Sequence, residues 1–375
     1  MKKVLLFAIN VDWYFNLHWK ERLQSEMVSG FDTHLCLSET NKNNSWEGFK
    51  FSNLTLSRSS MGIWNNLKTF LDAIRIFRDV KPAAIHSVTV KPNIMFGLLA
   101  LVYRKPVLIT IPGLGSIFSR EGTKAGIIQR LLLSVYWLIA KNIRATFIFE
   151  NSSDLALFKD KGICNESNAI AVPGAGVDIN RFKTIPMKWN ANDELHLLFA
   201  ARLLKEKGLY ELVDVVSDLK QEDFPVSLNV AGLIDKDSRE AIPLSQVEQW
   251  HQQGKIHWMG QINEMEAVIA ANHVVVLPTR YGEGLPRILL EANACGRPVI
   301  TTNIPGCNDF VINEKNGILV EVCNDEALKQ AIKRMRNKAL CSELGENGRK
   351  HVEQSYTNKH VIECYKQIYQ SKFRR

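Results

Sequence analysis

Short runs of β-branched and aliphatic residues alternate with longer segments of helical period from one end of this chain to the other. In the first half the runs are KVLLFAIN, DTHLCLS, AAIHSV, PVLITI, ATFIFE and NAIAVP, with helical patterns between them, notably at 63–79 and 124–142. In the second half they are LHLLFAARLL, VSLNVAGLI, IHWMG, HVVVLP, PVITT and GILVE. A strand that is apolar at nearly every position must be covered on both faces. Strand–helix–strand crossovers achieve that with parallel strands. The expected class is therefore α/β. A length of 375 residues exceeds what one core serves, and the alternation restarts after the polar stretch KTIPMKWNANDE. Two domains are expected, 1–185 and 186–356, followed by a charged amphipathic helix within 357–375. No period of 20–50 residues repeats.

Charge is unevenly divided. The net charge is +8; residues 1–185 carry 23 Lys/Arg against 14 Asp/Glu, and residues 186–375 carry 24 against 25. A basic first half suits an anionic membrane surface or nucleic acid. No nucleic-acid motif accompanies it, so the membrane is preferred and no nucleic acid is expected. Seven cysteines without CxxC or metal-ligand spacing point to buried thiols such as Cys295 and Cys307, to a reducing cytoplasmic setting and to no structural metal. The start, MKKVLLFAINVDW, reads as a first strand rather than a leader, because Asn10 and Asp12 interrupt a short apolar run. No segment offers 18 uninterrupted apolar residues, so no membrane span is expected.

The most informative stretch is YGEGLPRILLEANACGRPVI, residues 281–300. It follows the run HVVVLP. Gly282 and Gly284 loosen the chain, Pro286 suits a first helical position, and Gly296-Arg297-Pro298 stops the helix. Leu285, Ile288, Leu289, Ala292 and Cys295 share one face and would cover a sheet, leaving Glu291 off it. The loop thus lies at the carboxyl end of a strand, where α/β sheets collect ligands, and the helix start favours phosphate. Glu291 lies roughly 7–8 Å along the axis from Pro286, a suitable reach from a diphosphate to the ribose of the same nucleotide. Glu283 is left at the other end of the phosphates, where a sugar would be. Alone, two glutamates at this spacing are more often solvated surface charge. FAARLLKEKGLYEL adds Arg202 and Lys207, two cations at another strand's carboxyl end that suit a diphosphate. Asp235-Lys236-Asp237 is a possible metal-binding triplet but is read as a solvated turn.

Together these stretches closely resemble the E-x7-E and R-x4-K elements of retaining GT-B-fold glycosyltransferases of the family 4 type. The resemblance extends through GCNDFV and NGILV and includes the glycine-rich entry VPGAGVDINRF. It implies a GT-B fold, two Rossmann-like domains facing a cleft, the first for the acceptor and the second for a nucleotide-diphosphate sugar. The terminal helix would cross back to the first domain. Glu283, Arg202 and Lys207 become the catalytic candidates, and Gly260, Gly284, Leu285, Pro286 and Glu291 the donor-binding ones. Gly260, in IHWMGQINEM, would meet the base; Trp258 and Met259 read as core, and Thr279 and Arg280 as supporting residues. With two cations on the leaving diphosphate no metal and no cofactor is expected, and UDP is preferred over GDP.

The first half is less typical of the family. NVDWYFNLHW replaces a glycine-rich loop, and a histidine usual after the fifth strand is missing. The region resembles a subgroup of bacterial O-antigen and capsule transferases. That likeness makes Asn10, His18, Lys91, Gly113 and Gly115 candidates for the acceptor or sugar, with Lys91 and Pro92 on a loop. Trp13, Tyr14 and Phe15 could equally pack beneath it. The expected acceptor is a polyprenyl-diphosphate-linked glycan, and the expected location is cytoplasmic, peripheral on the inner face of the cell membrane. The apolar segment 124–144 suits either a membrane surface, with Tyr136 and Trp137 at the headgroups, or a buried helix. A GT-B-fold sugar-nucleotide epimerase and a non-catalytic partner subunit share most of these features. A nicotinamide oxidoreductase is disfavoured without GxGxxG after the first strand.

Overall fold

In the computed structural model the described residues are 2–40, 46–56, 63–114, 118, 123–187, 189, 193–235, 238, 240–282 and 284–373. They form two compact units. One comprises Met1–Ala175 and Asn358–Arg375, the other Gly176–Thr357. The division falls at Ala175/Gly176 rather than 185/186. Residues just after it belong to the second unit because Val177 bridges to Thr357 and Phe182 is buried, its carbonyl accepting from Arg349 at 2.7 Å.

The first unit holds seven parallel strands: β1 (Lys3–Val11), β2 (Phe31–Ser38), β3 (Lys50–Asn53), β4 (Ala84–Val88), β5 (Val107–Ile111), β6 (Ala145–Phe149) and β7 (Ala169–Ala171). Their order is β3-β2-β1-β4-β5-β6-β7. The central strands β4, β5 and β6 are buried at every position, as a sheet covered on both faces requires. β3, KFSN, was not foreseen, because an edge strand shows no apolar run. Helices Ile63–Val80, Val90–Val102 and Thr123–Ile139 cover one face, burying Phe77, Phe96, Tyr136 and Ile139. On the other face lie Phe15, Trp19 and the terminal helix Asn358–Phe373, through Tyr365, Tyr369 and Phe373. His86 of β4 ties that helix to the sheet: one ring nitrogen meets Tyr369 Oη at 2.6 Å, the other Thr110 Oγ1 at 2.7 Å. Burial, with the nearby Arg22 charge, pushes the imidazole down to about 3.

The second unit holds β8 (Leu195–Ala200), β9 (Val226–Ala231), β10 (His257–Gly260), β11 (Val274–Leu277), β12 (Val299–Thr302) and β13 (Gly317–Val320), in the order β10-β9-β8-β11-β12-β13. Every pairing in both sheets is parallel. Strand order reverses at β8/β11, and in the first sheet at β1/β4. These are the switch points where open α/β sheets leave a crevice beyond the strands' carboxyl ends. All seven cysteines are free, with Cys295 and Cys307 buried.

Candidate functional site

At the second unit's switch point the sequence brings two loops together through a glycine. β8 ends at Ala200, and Lys205–Lys207 form a single 3-10 turn closed by Gly208 at φ 79°, ψ 20°. A Cβ on Gly208 would strike the Pro278 carbonyl oxygen and lie 2.7 Å from its carbonyl carbon. Only glycine permits this backbone at this separation. The Glu206 carbonyl then accepts from Arg280 N at 2.8 Å and Thr279 Oγ1 at 3.3 Å. Lys207 is thereby buried beside the loop after β11, its ammonium 5.1 Å from the centroid of the Tyr281 ring. Thr279 is buried and Arg280 pairs with Glu211, so both brace the loop.

Arg202 leaves the carboxyl end of β8 and donates to Asp235 Oδ2 at 2.8 Å. The Asp235 carboxylate is largely covered, so this member of the triplet is not the solvated side chain expected. Lys236 and Asp237 lie outside the described residues. Gly232, after β9, has a role that the sequence did not reveal. A Cβ there would strike the Ala201 carbonyl oxygen, so the β8 and β9 ends are pressed together. Gly260 ends β10 at φ 66° and its carbonyl accepts from Gly232 N at 2.8 Å. Trp258 is half-buried rather than core, its indole nitrogen donating to the Gly232 carbonyl at 3.2 Å.

Beyond β11, Gly284 is half-buried and Leu285 buried; Glu283 lies outside the described residues. The helix runs Arg287–Ala294, with Pro286 extended at φ −63°, ψ 115° as the cap instead of the first helical residue. Ile288, Leu289, Leu290 and Ala292 are buried, leaving Arg287 and Glu291 on the partly open side. They form an i,i+4 pair, Nη2 to Oε1 3.1 Å and Nε to Oε1 3.2 Å. Burial holds the Glu291 carboxyl above the usual carboxylate range, against the pull of Arg287 and Arg181. Arg181 is fixed nearby by Glu266 at 2.7 Å and the Asn263 carbonyl at 2.7 Å. The i,i+4 spacing of Arg287 and Glu291 is a signal that the sequence reading did not use; Arg181, 110 positions away, left none. Below the helix, buried Arg297 donates to the carbonyls of Ala270, Asn272, Ile185 and Cys295, so the GRP stop also anchors the sheet.

In the first unit the candidates lie at the carboxyl ends of β1, β4 and β5. Asn10 is within β1, its Oδ1 accepting from Val11 N at 2.9 Å. The segment after it is a short helix, Asp12–His18, not a loop, and buries Phe15. His18 packs against Tyr14, ring centroids 4.3 Å apart. Asp12, read in the sequence only as a break in the first apolar run, is buried and accepts from Thr40 N at 2.7 Å and Thr40 Oγ1 at 2.6 Å. Lys91 lies in the first turn of helix Val90–Val102 rather than a loop, and burial draws its ammonium below the usual lysine range. Gly113 follows β5 and is half-buried; Gly115 lies outside the described residues. Tyr136 is buried and Trp137 exposed, so only the latter can reach a headgroup. No helix of the described residues is long and apolar enough to cross a membrane.

Two doubly wound parallel sheets, the second carrying cations and a capped helix at its switch point, define the GT-B class of glycosyltransferase fold. Residues 182–351 match the family described as glycosyl transferases group 1, and residues 3–146 match glycosyl transferase 4-like. The chain belongs to this family of group 1, family 4 glycosyltransferases and is a glycosyltransferase. It is 26% identical over 297 residues, 76% of each chain, to the N,N'-diacetylbacillosaminyl-diphospho-undecaprenol alpha-1,3-N-acetylgalactosaminyltransferase of Campylobacter jejuni. It is 24% identical to the capsular polysaccharide biosynthesis glycosyltransferase CapM of Staphylococcus aureus, over 90% of this chain and 89% of that one. Among solved structures, Anabaena Alr3699/HepE in complex with UDP superposes with a TM-score of 0.74 at 15% identity, covering 99% of both chains.

Proposed function

We propose that this protein transfers a hexose or N-acetylhexosamine from a UDP-sugar, with retention of anomeric configuration and without a metal, to a hydroxyl of a polyprenyl-diphosphate-linked glycan in surface-polysaccharide assembly. The observation that carries the reading is Lys207, buried at the β8/β11 switch point beside the loop that leads to Glu291. As the glycosidic bond breaks, charge accumulates on the departing β-phosphate. Cations fixed before the reaction stabilise that charge most in the transition state. Arg202 supplies the second cation once the diphosphate displaces Asp235, and Glu291 accepts from the ribose hydroxyls. Glu283 orients the donor sugar. The departing phosphate oxygen itself takes the acceptor's proton, so attack comes from the leaving group's own face. The relatives' printed names support the acceptor class, since one acts on a diphospho-undecaprenol and another serves capsule synthesis. HepE, with UDP bound, supports the nucleotide. The lipid acceptor puts the reaction on the cytoplasmic face of a membrane, met by the basic first unit.

The test is a panel of nucleotide sugars offered with short polyprenyl-diphosphate sugars, the product's anomeric configuration read by NMR. Turnover is expected with a UDP-sugar and is expected to survive EDTA. Interconversion of two UDP-sugars without transfer, or binding without turnover, would replace the proposal with an epimerase or a partner subunit.

A further inference from the structure

Arg181 stands in the entry VPGAGVDINRF, yet its side-chain partners lie 82 and 85 positions away. All of them belong to the second unit. Its backbone is fixed first. Asp178 Oδ1 accepts from Asn180 N at 2.8 Å and Arg181 N at 3.3 Å, a turn of the kind aspartate favours. Phe182 N donates to the Asp178 carbonyl at 2.9 Å, and the Phe182 ring is buried. Arg349 Nη1 donates to two carbonyls, Phe182 at 2.7 Å and Ala294 at 2.6 Å. The segment 178–182 is thus tied to the last residue of the helix Arg287–Ala294, which carries Glu291. From that anchored base the Arg181 side chain reaches a third element. Its Nη2 and Nε both donate to Glu266 Oε2, at 2.7 Å and 3.0 Å, and Nη2 also donates to the Asn263 carbonyl at 2.7 Å. Asn263 lies in the loop after β10, which ends at Gly260, and Glu266 in the first turn of the helix Met265–Ala270.

The Arg181 and Glu266 side chains are 45% and 30% exposed, and an ion pair so open adds little to stability. What the planar guanidinium supplies is geometry, three donations from one rigid fork. We propose that Arg181 is a positioning residue for the nucleotide sugar: it joins the loop after β10 to the helix of Glu291, and so sets the distance between the groups that meet the base and the ribose. The inference rests on the reading in which Gly260 meets the base and Glu291 the ribose. The same guanidinium favours the ionised Glu291 that accepts from ribose hydroxyls. Burial pushes the Glu291 carboxyl up, Arg287 on its own helix and then Arg181 draw it down, and Glu266 pushes it up. The Cys295 thiol, just past the helix, is pushed up to about 12 by burial and so stays neutral beside it.

The experiment is UDP binding to the full chain by calorimetry, from neutral into acid pH, for the parent, Arg181→Gln, Arg181→Lys, Glu266→Gln and Glu291→Gln. Arg181→Gln should weaken binding at neutral pH by about tenfold, the scale of one member lost from a coupled network. It should also move the acid fall-off to higher pH, because a cation near Glu291 is gone. Glu266→Gln should weaken binding too, since the fork loses its charged partner, but should move the fall-off to lower pH, because a negative neighbour of Glu291 is gone. Arg181→Lys keeps the charge without the fork, so it should hold the parent's fall-off and still bind more weakly at neutral pH. Shifts of opposite sign are not what a merely structural residue would give. Arg181 is exposed, so circular dichroism of its variants should match the parent. Parent-like affinity in Arg181→Gln, or shifts of the same sign in Arg181→Gln and Glu266→Gln, overturns the inference. Weak binding by Glu291→Gln beside parent-like binding by Arg181→Gln leaves the ribose reading standing and removes the brace. Parent-like binding by Glu291→Gln sinks the ribose reading, and the brace with it.

Discussion

Replacing Gly208 by alanine should damage catalysis more than stability. The methyl group would meet the Pro278 carbonyl oxygen and sit 2.7 Å from the carbonyl carbon, where ordinary contact begins at 3.4 Å. The backbone at φ 79° adds a left-handed penalty of about 1–2 kcal/mol. The turn bearing Lys207 and the loop after β11 must therefore part, and the Glu206–Arg280 hydrogen bond lengthens with them. A penalty of this size lowers the thermal midpoint of a unit of this length by about 2–8 °C. The larger consequence falls on the reaction. A displacement approaching 1 Å at a charge-stabilising group costs roughly a hundredfold. The assay is UDP release from a UDP-sugar with acceptor, well below the lowered midpoint, beside Lys207→Gln as a variant that removes the charge without the backbone clash. Gly208→Ala should lower kcat by about tenfold to a hundredfold. Turnover within about twofold of the parent would show that the contact between the two loops does not position Lys207 for catalysis.

Lys207→Ala and Arg202→Ala should each lower kcat/KM, with Lys207 nearer the upper end of the hundred- to thousand-fold range for a lost preorganised donor, because it is buried while Arg202 is 44% exposed. Equal and small losses in steady-state kinetics would contradict the phosphate role of both. Glu291 is held above the usual carboxylate range by burial, so donor binding should fail at a higher pH than for an ordinary glutamate as acid protonates it. Arg287→Gln removes a charge that opposes the shift and should move the acid limb of kcat/KM further up; a limb that stays put or moves down refutes the pairing. For His86, the unfolded chain binds a proton near pH 6.5 and the folded one only at about 3. Its contribution to stability is thus complete above about 6.5 and is lost as pH falls towards 3. The gap in urea midpoint between the parent and His86→Gln should narrow from about pH 7 to about pH 5, and parallel curves would refute this.

The two sheets were legible because central parallel strands must be apolar on both faces, a pattern that AIHSV, VLITI and VVVL carry in their letters. β3 was not, since KFSN at an edge needs no such pattern. The domain boundary was misplaced by ten residues, because the polar stretch that suggested it follows contacts already committed to the second unit. The placing of Arg202, Lys207 and Glu291 near the carboxyl ends of strands was recognisable from local sequence, whereas the i,i+4 pairing of Arg287 with Glu291 went unread. What sequence could not supply were meetings between segments far apart in the chain.

The residues alone determined the class of fold, the carboxyl-end loops that bear cations and carboxylates, and the family, because periodicity and short motifs are written within a few turns of chain. Only the tertiary structure decided that Gly208 must be glycine, that Asp235 holds Arg202, that Arg181 stands by Glu291, and that one helix turns leucines and a tryptophan outward. Each of these depends on how closely two backbones approach or on which side of a helix the sheet covers. Such distances arise only when the strands take their places in the sheet.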